Sequence, residues 1–168
     1  MIPELASLLG NRQKYGGSYK PTEKQFVIVC GNITFVSVTN FINDFYHPAR
    51  EDVNAEVVFL NKREPDLEFE GLLKREKTRV TYIQVRTGLG LFSQIISSFQ
   101  GTMLSTNDLR RVAAEKAAAV LVLSDKFSLE PRKEDLSNIM RVIALKNYSE
   151  STRCIIQLLY YSSKVSST

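Results

Sequence analysis

The fold of this chain is decided by two neighbouring runs, Asn11-Arg12-Gln13-Lys14-Tyr15-Gly16-Gly17-Ser18-Tyr19 and Phe26-Val27-Ile28-Val29-Cys30-Gly31-Asn32-Ile33-Thr34. The first run is a short basic linker, and the second is an apolar stretch that ends in a single turn glycine. An apolar strand, a glycine turn and a helical pattern, in that order, are typical of the opening of a βαβ unit. The two runs therefore predict a Rossmann-like domain with a linker directly in front of it.

The turn after the apolar run carries one glycine, Gly31, where a dinucleotide-binding turn carries three. Those three glycines make the turn, let the backbone approach a pyrophosphate and allow close helix packing. Ile33 and Val36 hold the two later positions here. The turn at Gly31 is therefore degenerate, and the sequence predicts no cofactor-binding residues there.

Five nearly continuous apolar runs recur along the chain. Strands covered on both faces have such runs, because neither face meets water. Amphipathic segments alternate with the runs, which predicts an α/β fold with a doubly wound parallel sheet and right-handed crossovers. The runs predicted as strands are Phe26–Cys30, Glu56–Leu60, Val80–Gln84, Val120–Leu123 and Cys154–Leu159.

Four amphipathic segments between these runs predict helices. The third begins at Ser105, because a hydroxyl followed three residues later by an acid can cap a first turn. In the fourth, Leu136, Met140 and Ile143 recur on one face, which predicts that this face packs on the sheet. Phe41 and Met140 are accordingly predicted to be core residues. The predicted helices cover about residues 33–45, 67–77, 105–113 and 134–148.

The composition limits the chain to one domain. Its 168 residues, 43% of them apolar, can bury a single core. The net charge is +4, but acidic and basic residues are mixed within the same segments, which is typical of solvated loops rather than of a nucleic-acid interface. No apolar run approaches the roughly 20 residues that cross a bilayer, so no transmembrane segment is predicted. Cys30 and Cys154 lie in apolar runs and are predicted to be free, buried thiols.

Five motifs, in order along the chain, resemble a known family. They are similar to the Slo, or BK, family of large-conductance calcium-activated potassium channels, and they match its first RCK domain together with the linker from the pore. The resemblance covers residues 2 to about 164 apart from one internal block. The motifs are Ile2–Leu5, Asn11–Tyr19, Val29–Thr34, Val53–Leu60 and Ser137–Tyr148.

The resemblance implies a non-enzymatic regulatory domain. In that family the domain lies on the cytoplasmic side of the membrane, and the RCK domains of four subunits form a gating ring that pulls the pore open. The implied partners are the other subunits of this tetrameric ring and the pore domain, and no nucleic acid. The implied organisation is the end of a pore-lining helix and a basic linker at residues 1–24, the Rossmann-like domain at 25–164 and a truncated tail at 165–168.

The resemblance also implies where divalent cations would bind. The family's first-domain Ca²⁺ site matches a stretch in which Asp44 is retained and a second aspartate is replaced by Ala49. Its Mg²⁺ site matches Glu56, with Arg79 and Thr81 at the other two ligand positions. Hard cations need several oxygen ligands, and Arg79 sets a positive charge against them. Asp44 and Glu56 are the candidate metal ligands, with Glu51 or Asp52 as the alternative source of the carboxylate lost at Ala49. No cofactor is assigned to the chain itself, and Ca²⁺ or Mg²⁺ would act in a full-length channel.

The linker keeps two charges of the family's basic triplet, Arg12 and Lys14. Near a membrane, such charges are attracted to anionic lipid headgroups. The alternative is a solvated linker with no lipid contact.

The internal block from Val85 to Gln100 matches nothing in the family. Joining Gln84 directly to Gly101 restores the family's third strand and its following glycine. The ends of the block read like a translated splice donor and acceptor. The hypothesis is a retained in-frame intron or a gene-model error, and the alternative is a genuine apolar loop. Transcript reads that always contain the block would refute the hypothesis.

Two other function classes remain open from the residues. A nucleotide-responsive RCK module of the bacterial K⁺-transport type would need more glycines after Gly31 and an acid at the position of Asn61. An enzyme would need an acid, a base or a nucleophile, and the sequence shows no histidine, cysteine or carboxylate cluster that supplies one. We therefore expect a protein that is not an enzyme.

Overall fold

A computed structural model describes residues 14–50, 53–85 and 105–160. Within these ranges the chain forms a five-stranded, all-parallel sheet of order β3-β2-β1-β4-β5. This arrangement confirms the predicted α/β, Rossmann-like doubly wound fold. The strands are β1 (Gln25–Gly31), β2 (Ala55–Asn61), β3 (Val80–Gln84), β4 (Ala119–Leu123) and β5 (Cys154–Ile156).

The helices begin where a polar side chain can satisfy the free amides of a first turn. Thr34, Asp66 and Ser105 each accept a hydrogen bond from the backbone N–H three residues on, at 2.9–3.1 Å. The last helix instead has Pro131 in its first turn, where a missing N–H costs nothing. The helices are α1 (Phe35–Phe45), α2 (Leu67–Arg75), α3 (Thr106–Arg111) and α4 (Pro131–Tyr148), with a 3₁₀ turn at Ala114–Lys116.

Each face of the sheet carries its own apolar core. Along β1, Phe26, Ile28 and Cys30 enter one core, and Val27 and Val29 enter the other. All five are less than a tenth exposed, because α1 and α2 cover one face and α3 and α4 the other. This double burial explains why the strands read as continuous apolar runs.

The interior location predicted for Met140 is wrong. Met140 is 37% exposed, and its neighbours on the same face, Leu136 and Ile143, are 59% and 46% exposed. The helix instead buries Leu145 and Asn138, both at 0% exposure, and Asp135 at 1%, so two of its three buried side chains are polar. Phe41 is partly buried and packs edge-on against the core ring of Phe59, so it does belong to the core.

Asp135 is buried because it holds the chain that leaves the sheet. Its two carboxylate oxygens accept from the backbone N–H groups of Leu159, at 2.7 Å, and Tyr160, at 2.9 Å. Ser124 donates to the carbonyl of Gln157 just before them. Buried charges persist where hydrogen bonds replace water, and here those bonds fix the path of the outgoing chain.

Several predicted element ends move inward in the structure. The third helix ends at Arg111 rather than continuing through Ala113, which has a left-handed backbone at φ 51°. The second helix ends at Arg75, and the fifth strand ends at Ile156, three residues before the chain reaches the carboxylate of Asp135 at Leu159. Cys30 is buried and Cys154 is half-buried, and both are free.

Some predictions fall outside the described residues. These concern Arg12 and the end of a pore-lining helix implied before it, Glu51 and Asp52, residues 86–100 of the internal block and the tail after residue 160. The first residue of the block, Val85, is described: it is 8% exposed and its N–H donates to the carbonyl of Asn61 at 2.7 Å. Val85 is therefore part of the folded core. Among the helices that the structure describes, none has the length and apolar character of a membrane span.

Candidate functional site

Gly31 is required by the packing of two strands. Its φ of +96° lies in the region that side-chain-bearing residues avoid. A Cβ placed on it would lie 2.2 Å from the carbonyl oxygen of Leu123, at the end of β4. The next residue, Asn32, donates its N–H to that same carbonyl at 2.9 Å. The glycine therefore lets β1 turn tightly over β4, a role that needs no ligand.

The amides that would bind a pyrophosphate at the start of α1 are used by neighbouring side chains. The Thr34 N–H donates to Ser37 Oγ at 2.9 Å, and the Ser37 N–H donates to Thr34 Oγ1 at 3.1 Å. Ser37 Oγ also donates to the carbonyl of Asn32 at 2.8 Å. A reciprocal capping box of this kind satisfies the same N–H groups that dinucleotide-binding turns offer to phosphate.

Asn61 closes the same crevice from β2. Its Nδ2 donates to the carbonyl of Ile33 at 3.1 Å, and its Oδ1 accepts from the N–H of Lys62 at 2.8 Å. In dinucleotide-binding folds an acid near this place holds a ribose hydroxyl. Here the amide binds the protein's own turn, so the residues present do not fit a dinucleotide.

Glu56 faces the linker side of the sheet. Its Oε2 accepts from the Tyr19 hydroxyl at 2.8 Å, and its Oε1 accepts from Thr22 Oγ1 at 2.9 Å. Burial, followed by this bond to the carboxylate, raises the pKa of Tyr19. Both oxygens of the candidate magnesium ligand thus already hold protein donors.

The other positions matched to cation ligands are spread over the surface. Asp44 and Ala49 are exposed, and Thr81 is half-buried in β3. Arg79 directs its Nη2 to Glu76 Oε2 at 3.0 Å. Its guanidinium therefore has a carboxylate partner on its own loop.

The described residues do not fit a divalent cation. Within residues 14–50, 53–85 and 105–160, no three His, Cys, Asp or Glu side chains come together as a metal site. Ca²⁺ takes about six to eight oxygen ligands, and Asp44 and Glu56 do not assemble such a set. The assignment of a metal to Asp44 and Glu56 stays a prediction.

A buried ion pair at the end of α3 joins the linker to the domain. Arg111 is 7% exposed and its Nη1 lies 2.7 Å from Asp108 Oδ1, a carboxyl that is 1% exposed. The same guanidinium donates through Nε and Nη2 to the carbonyl of Gly17, at 3.1 and 2.8 Å. Its Nη1 also donates to the carbonyl of Gln84 at 2.9 Å. We call Arg111, Asp108 and their bonds to Gly17 and Gln84 the linker clamp.

The aromatic residues of the linker complete this attachment. The Tyr15 carbonyl accepts from the N–H of Gln84 at 2.9 Å, and its ring packs edge-on against Tyr82 at 5.3 Å. The Tyr19 N–H donates to the carbonyl of Arg111 at 2.8 Å, and its ring packs on Phe26 at 4.7 Å. The linker is thus fixed to the domain from Tyr15 onward, well before β1 begins.

The sequence did not identify this clamp. Arg111 lies next to an exposed arginine, Arg110, in a short helix, and nothing in a one-dimensional pattern distinguishes the two. Gly17 gives no signal either, because a Cβ placed on it would meet nothing within 4 Å.

Lys14, one of the two candidate lipid-binding cations, is paired in this structure. Its Nζ lies 2.7 Å from Glu70 Oε1, and the Tyr15 hydroxyl donates to the same oxygen at 3.1 Å. The bond from Lys14, followed by that from Tyr15, holds the pKa of the Glu70 carboxyl below its usual range. Because Lys14 is 59% exposed, its charge remains accessible from solvent.

We expect Lys14→Gln to raise the pKa of Glu70 toward the ordinary glutamate value of about 4.3. A carboxyl whose pKa is lower folded than unfolded stabilises the fold above its unfolded pKa, and that contribution disappears as pH falls through the folded pKa. Carbon-detected NMR titration of the side-chain carboxyls measures the change. Glu68, exposed on the same helix, is the internal control. An unchanged Glu70 midpoint in the variant would show that the ion pair does not form in solution.

The sequence matches one family over most of its length. The "Calcium-activated potassium channel slowpoke-like RCK domain" family matches residues 22–87 and 89–156. The chain is 48% identical over 164 residues to the calcium-activated potassium channel slo-1 of Caenorhabditis elegans, and 46% identical to slowpoke of Drosophila melanogaster. Each match covers 97% of this chain, but 13% and 12% of those relatives.

Solved structures show the same fold. The human SLO3 gating ring matches with a TM-score of 0.64 and 35% identity, covering 86% of this chain and 21% of that one. The GsuK channel bound to NAD matches with a TM-score of 0.54, covering 98% of this chain and 24% of that one. At 13% identity, the second likeness shows the fold alone.

Proposed function

Because the chain belongs to the slowpoke-like RCK domain family of calcium-activated potassium channels, we propose that it regulates potassium conduction as a gating-ring domain on the cytoplasmic side of a membrane channel. The chain spans about an eighth of the length of the curated relatives it matches. Conduction, voltage sensing and assembly of a whole channel are therefore part of this proposal. Its relatives are channel proteins, and the domain acts here as a regulator rather than as an enzyme.

The linker clamp is the observation that supports this role most directly. A domain that moves a pore must transmit its displacement to the chain that leads there. Residues 15–19 are bound to the sheet edge and to α3 by a buried guanidinium, so they move with the domain. Residues 15–19 would then add no slack between the domain and a pore. A linker without slack at this end transmits more of any domain movement.

The proposed partners are the other subunits of a tetrameric gating ring and the pore domain of the same channel. Leu136, Met140 and Ile143 leave an apolar face of α4 exposed, as expected for a surface that a neighbouring subunit covers. Arg12 and Lys14 would lie nearest the membrane, where anionic headgroups attract basic residues. Calcium or magnesium would act on the full-length channel, with no step assigned to the residues described here.

A chimeric channel tests the proposal. The matching segment of the C. elegans slo-1 relative is replaced by this chain, and currents are recorded from excised patches. We expect assembly at the cell surface and a potassium current whose voltage range is shifted from that of the parent. The calcium response should be weaker than in the parent, because Ala49, Arg79 and Thr81 replace family ligands.

A matched variant of the chimera gives the control. Gly31→Ala in the same chimera should abolish the current, because it disrupts the fold. This variant shows whether the current needs the folded domain or would persist with any inserted segment. The proposal is wrong if the chimera reaches the surface as a tetramer and conducts identically with and without this substitution.

A further inference from the structure

The chain leaves α3 through a backbone conformation that is unfavourable for alanine. Ala113 has φ 51° and ψ 47°, in the left-handed region, and among the described residues it is the only one with both a side chain and a positive φ. Helices commonly end on a left-handed residue, but that residue is usually glycine, because a Cβ disfavours this conformation. Such strain persists where the surrounding structure imposes it, and it is found mostly at functional sites and in switch regions.

The sequence after α3 favours a longer helix. Residues 113–118 are four alanines, one glutamate and one lysine, all of high helix propensity. The chain nevertheless forms only a 3₁₀ turn, Ala114–Lys116, before β4. In a continuous helix, Val112 and Ala113 would stay on the buried face that Leu109 occupies. Local propensity and the observed backbone therefore disagree at Ala113.

The linker is what holds α3 to its observed length. In a continuous helix the Arg111 carbonyl would accept from the N–H of Glu115, four residues on. In the structure this carbonyl accepts from the Tyr19 N–H at 2.8 Å. The Arg111 side chain also binds the carbonyl of Gly17 at 2.8 Å, so both its backbone and its side chain hold the linker. Continuing the helix would bring a different donor to the carbonyl that now holds Tyr19.

The segment that could change is short and weakly bonded. The N–H of Ala118 donates to the carbonyl of Phe26 at 2.9 Å, which fixes the chain where β4 begins. Before that point, the carbonyl of Ala114 accepts from the N–H of Ala117 at 3.3 Å and from Thr152 Oγ1 at 3.2 Å. Both bonds are long for their type, so helical bonds could replace them at little cost. The main cost of a longer helix is therefore the release of the linker.

We propose that α3 and the linker form a two-state element. With the linker attached, α3 ends at Arg111 and Ala113 is left-handed. With residues 17–19 released, α3 continues through Ala113 and the strain is relieved. The strain at Ala113 thus offsets part of the cost of opening the linker clamp and makes the clamp reversible. A role of this element in gating rests on the proposed function, whereas the conformational change itself is measured on the chain alone.

Amide hydrogen exchange at Tyr19 tests the proposal, because this N–H exchanges only when its bond to Arg111 opens. Ala113→Gly relieves the strain of the attached state and disfavours the longer helix, since glycine accepts a left-handed backbone and is a poor helix former. We expect Tyr19 exchange to slow roughly tenfold relative to that of the buried Val29 in β1. Ala49→Gly, an exposed alanine outside α3, is the matched control and should leave this ratio unchanged.

NMR of Arg111→Met gives a second measurement. With the linker released, the φ of Ala113, obtained from scalar couplings, should change from 51° to the helical value of about −63°. Ala113→Gly added to Arg111→Met should keep position 113 left-handed. If Arg111→Met does not fold, the exchange comparison decides alone.

Equal slowing of Tyr19 and Val29 in Ala113→Gly would show that this residue is a fixed helix cap, and it would overturn the proposal. A left-handed Ala113 in folded Arg111→Met would overturn it as well. These measurements are independent of the chimeric channel. A chimera without current would reject the proposed function and leave the two-state element standing, and a functional chimera with equal slowing would do the reverse.

Discussion

Arg111→Met is expected to lower the free energy of unfolding by about 3–5 kcal/mol. The substitution keeps most of the side-chain volume but removes the positive charge beside Asp108, whose carboxyl is 1% exposed. Asp108 keeps its bond from Ser105 Oγ at 2.6 Å, but the buried carboxylate loses its positively charged partner, and breaking a buried ion pair carries that cost. The carbonyls of Gly17 and Gln84 lose their donors at the same time. Urea unfolding followed by far-UV circular dichroism measures the difference.

The clamp also predicts a local effect. Amide hydrogen exchange between Tyr15 and Tyr19 should become faster in Arg111→Met than elsewhere in the chain, because the linker loses its attachment. Arg110→Met is the control, since Arg110 is an exposed neighbour in the same helix. If Arg111→Met fails to fold, Arg111→Lys retains the charge and should show the exchange effect with a smaller loss of stability. Equal stability of the Arg111→Met and Arg110→Met chains contradicts the clamp.

Gly31→Ala is expected to lower the free energy of unfolding by about 3 kcal/mol or more. This is the second large effect that we expect. A residue with a side chain at φ +96° is strained by about 1–3 kcal/mol before any contact is counted. The added Cβ would also meet the carbonyl oxygen of Leu123 at 2.2 Å, and this oxygen is backbone that cannot rotate away. The β1–β4 pairing would have to shift. Thermal and urea unfolding of the two chains measure the loss.

Gly71→Ala provides a matched control of opposite sign. Gly71 lies within α2, and a Cβ there would meet nothing within 4 Å. Alanine in a helix interior is more favourable than glycine by about 0.5–1 kcal/mol, so this variant should be more stable than the parent. A Gly31→Ala chain as stable as the parent would show that the turn over β4 is not as described.

The strands were predictable because burial on both faces requires an uninterrupted run of apolar residues in the sequence. Runs such as Val57–Leu60 and Val27–Cys30 have no polar interruption, and a parallel sheet with helices on both sides is the architecture that requires this. The start of α3 was equally predictable, since Ser105 followed by Asp108 is a local signal. Elements specified by their own residues were therefore predicted well.

The orientation of α4 was not predictable from the same kind of reasoning. Helical spacing of Leu136, Met140 and Ile143 shows that an apolar face exists, but not which partner covers it. The face that packs on the sheet carries Asp135 and Asn138, whose hydrogen bonds run to residues far along the chain. Long-range bonds of this kind leave no periodic trace in a sequence.

In the candidate site, too, residue identities could be predicted from the sequence and side-chain positions could not. The single glycine of the turn at Gly31 was visible as a residue identity, and so were Ala49 and Arg79 at positions where the family resemblance implies metal ligands. The positions of the side chains were not visible: Arg79 was expected to set its charge against a cation beside Glu56, and in the structure it pairs with Glu76 and stacks on Tyr46. Whether a charge opposes a neighbour or pairs with one depends on rotamers that only tertiary packing selects.

Asp135 holds the outgoing chain as Arg111 holds the incoming one, and the helices that carry them, α3 and α4, contact each other. A force applied at Gly17 can therefore reach Leu159 through α3 and α4, without stretching the hydrogen bonds between the strands. Two buried side chains of opposite charge would then couple the incoming and outgoing segments of the described domain.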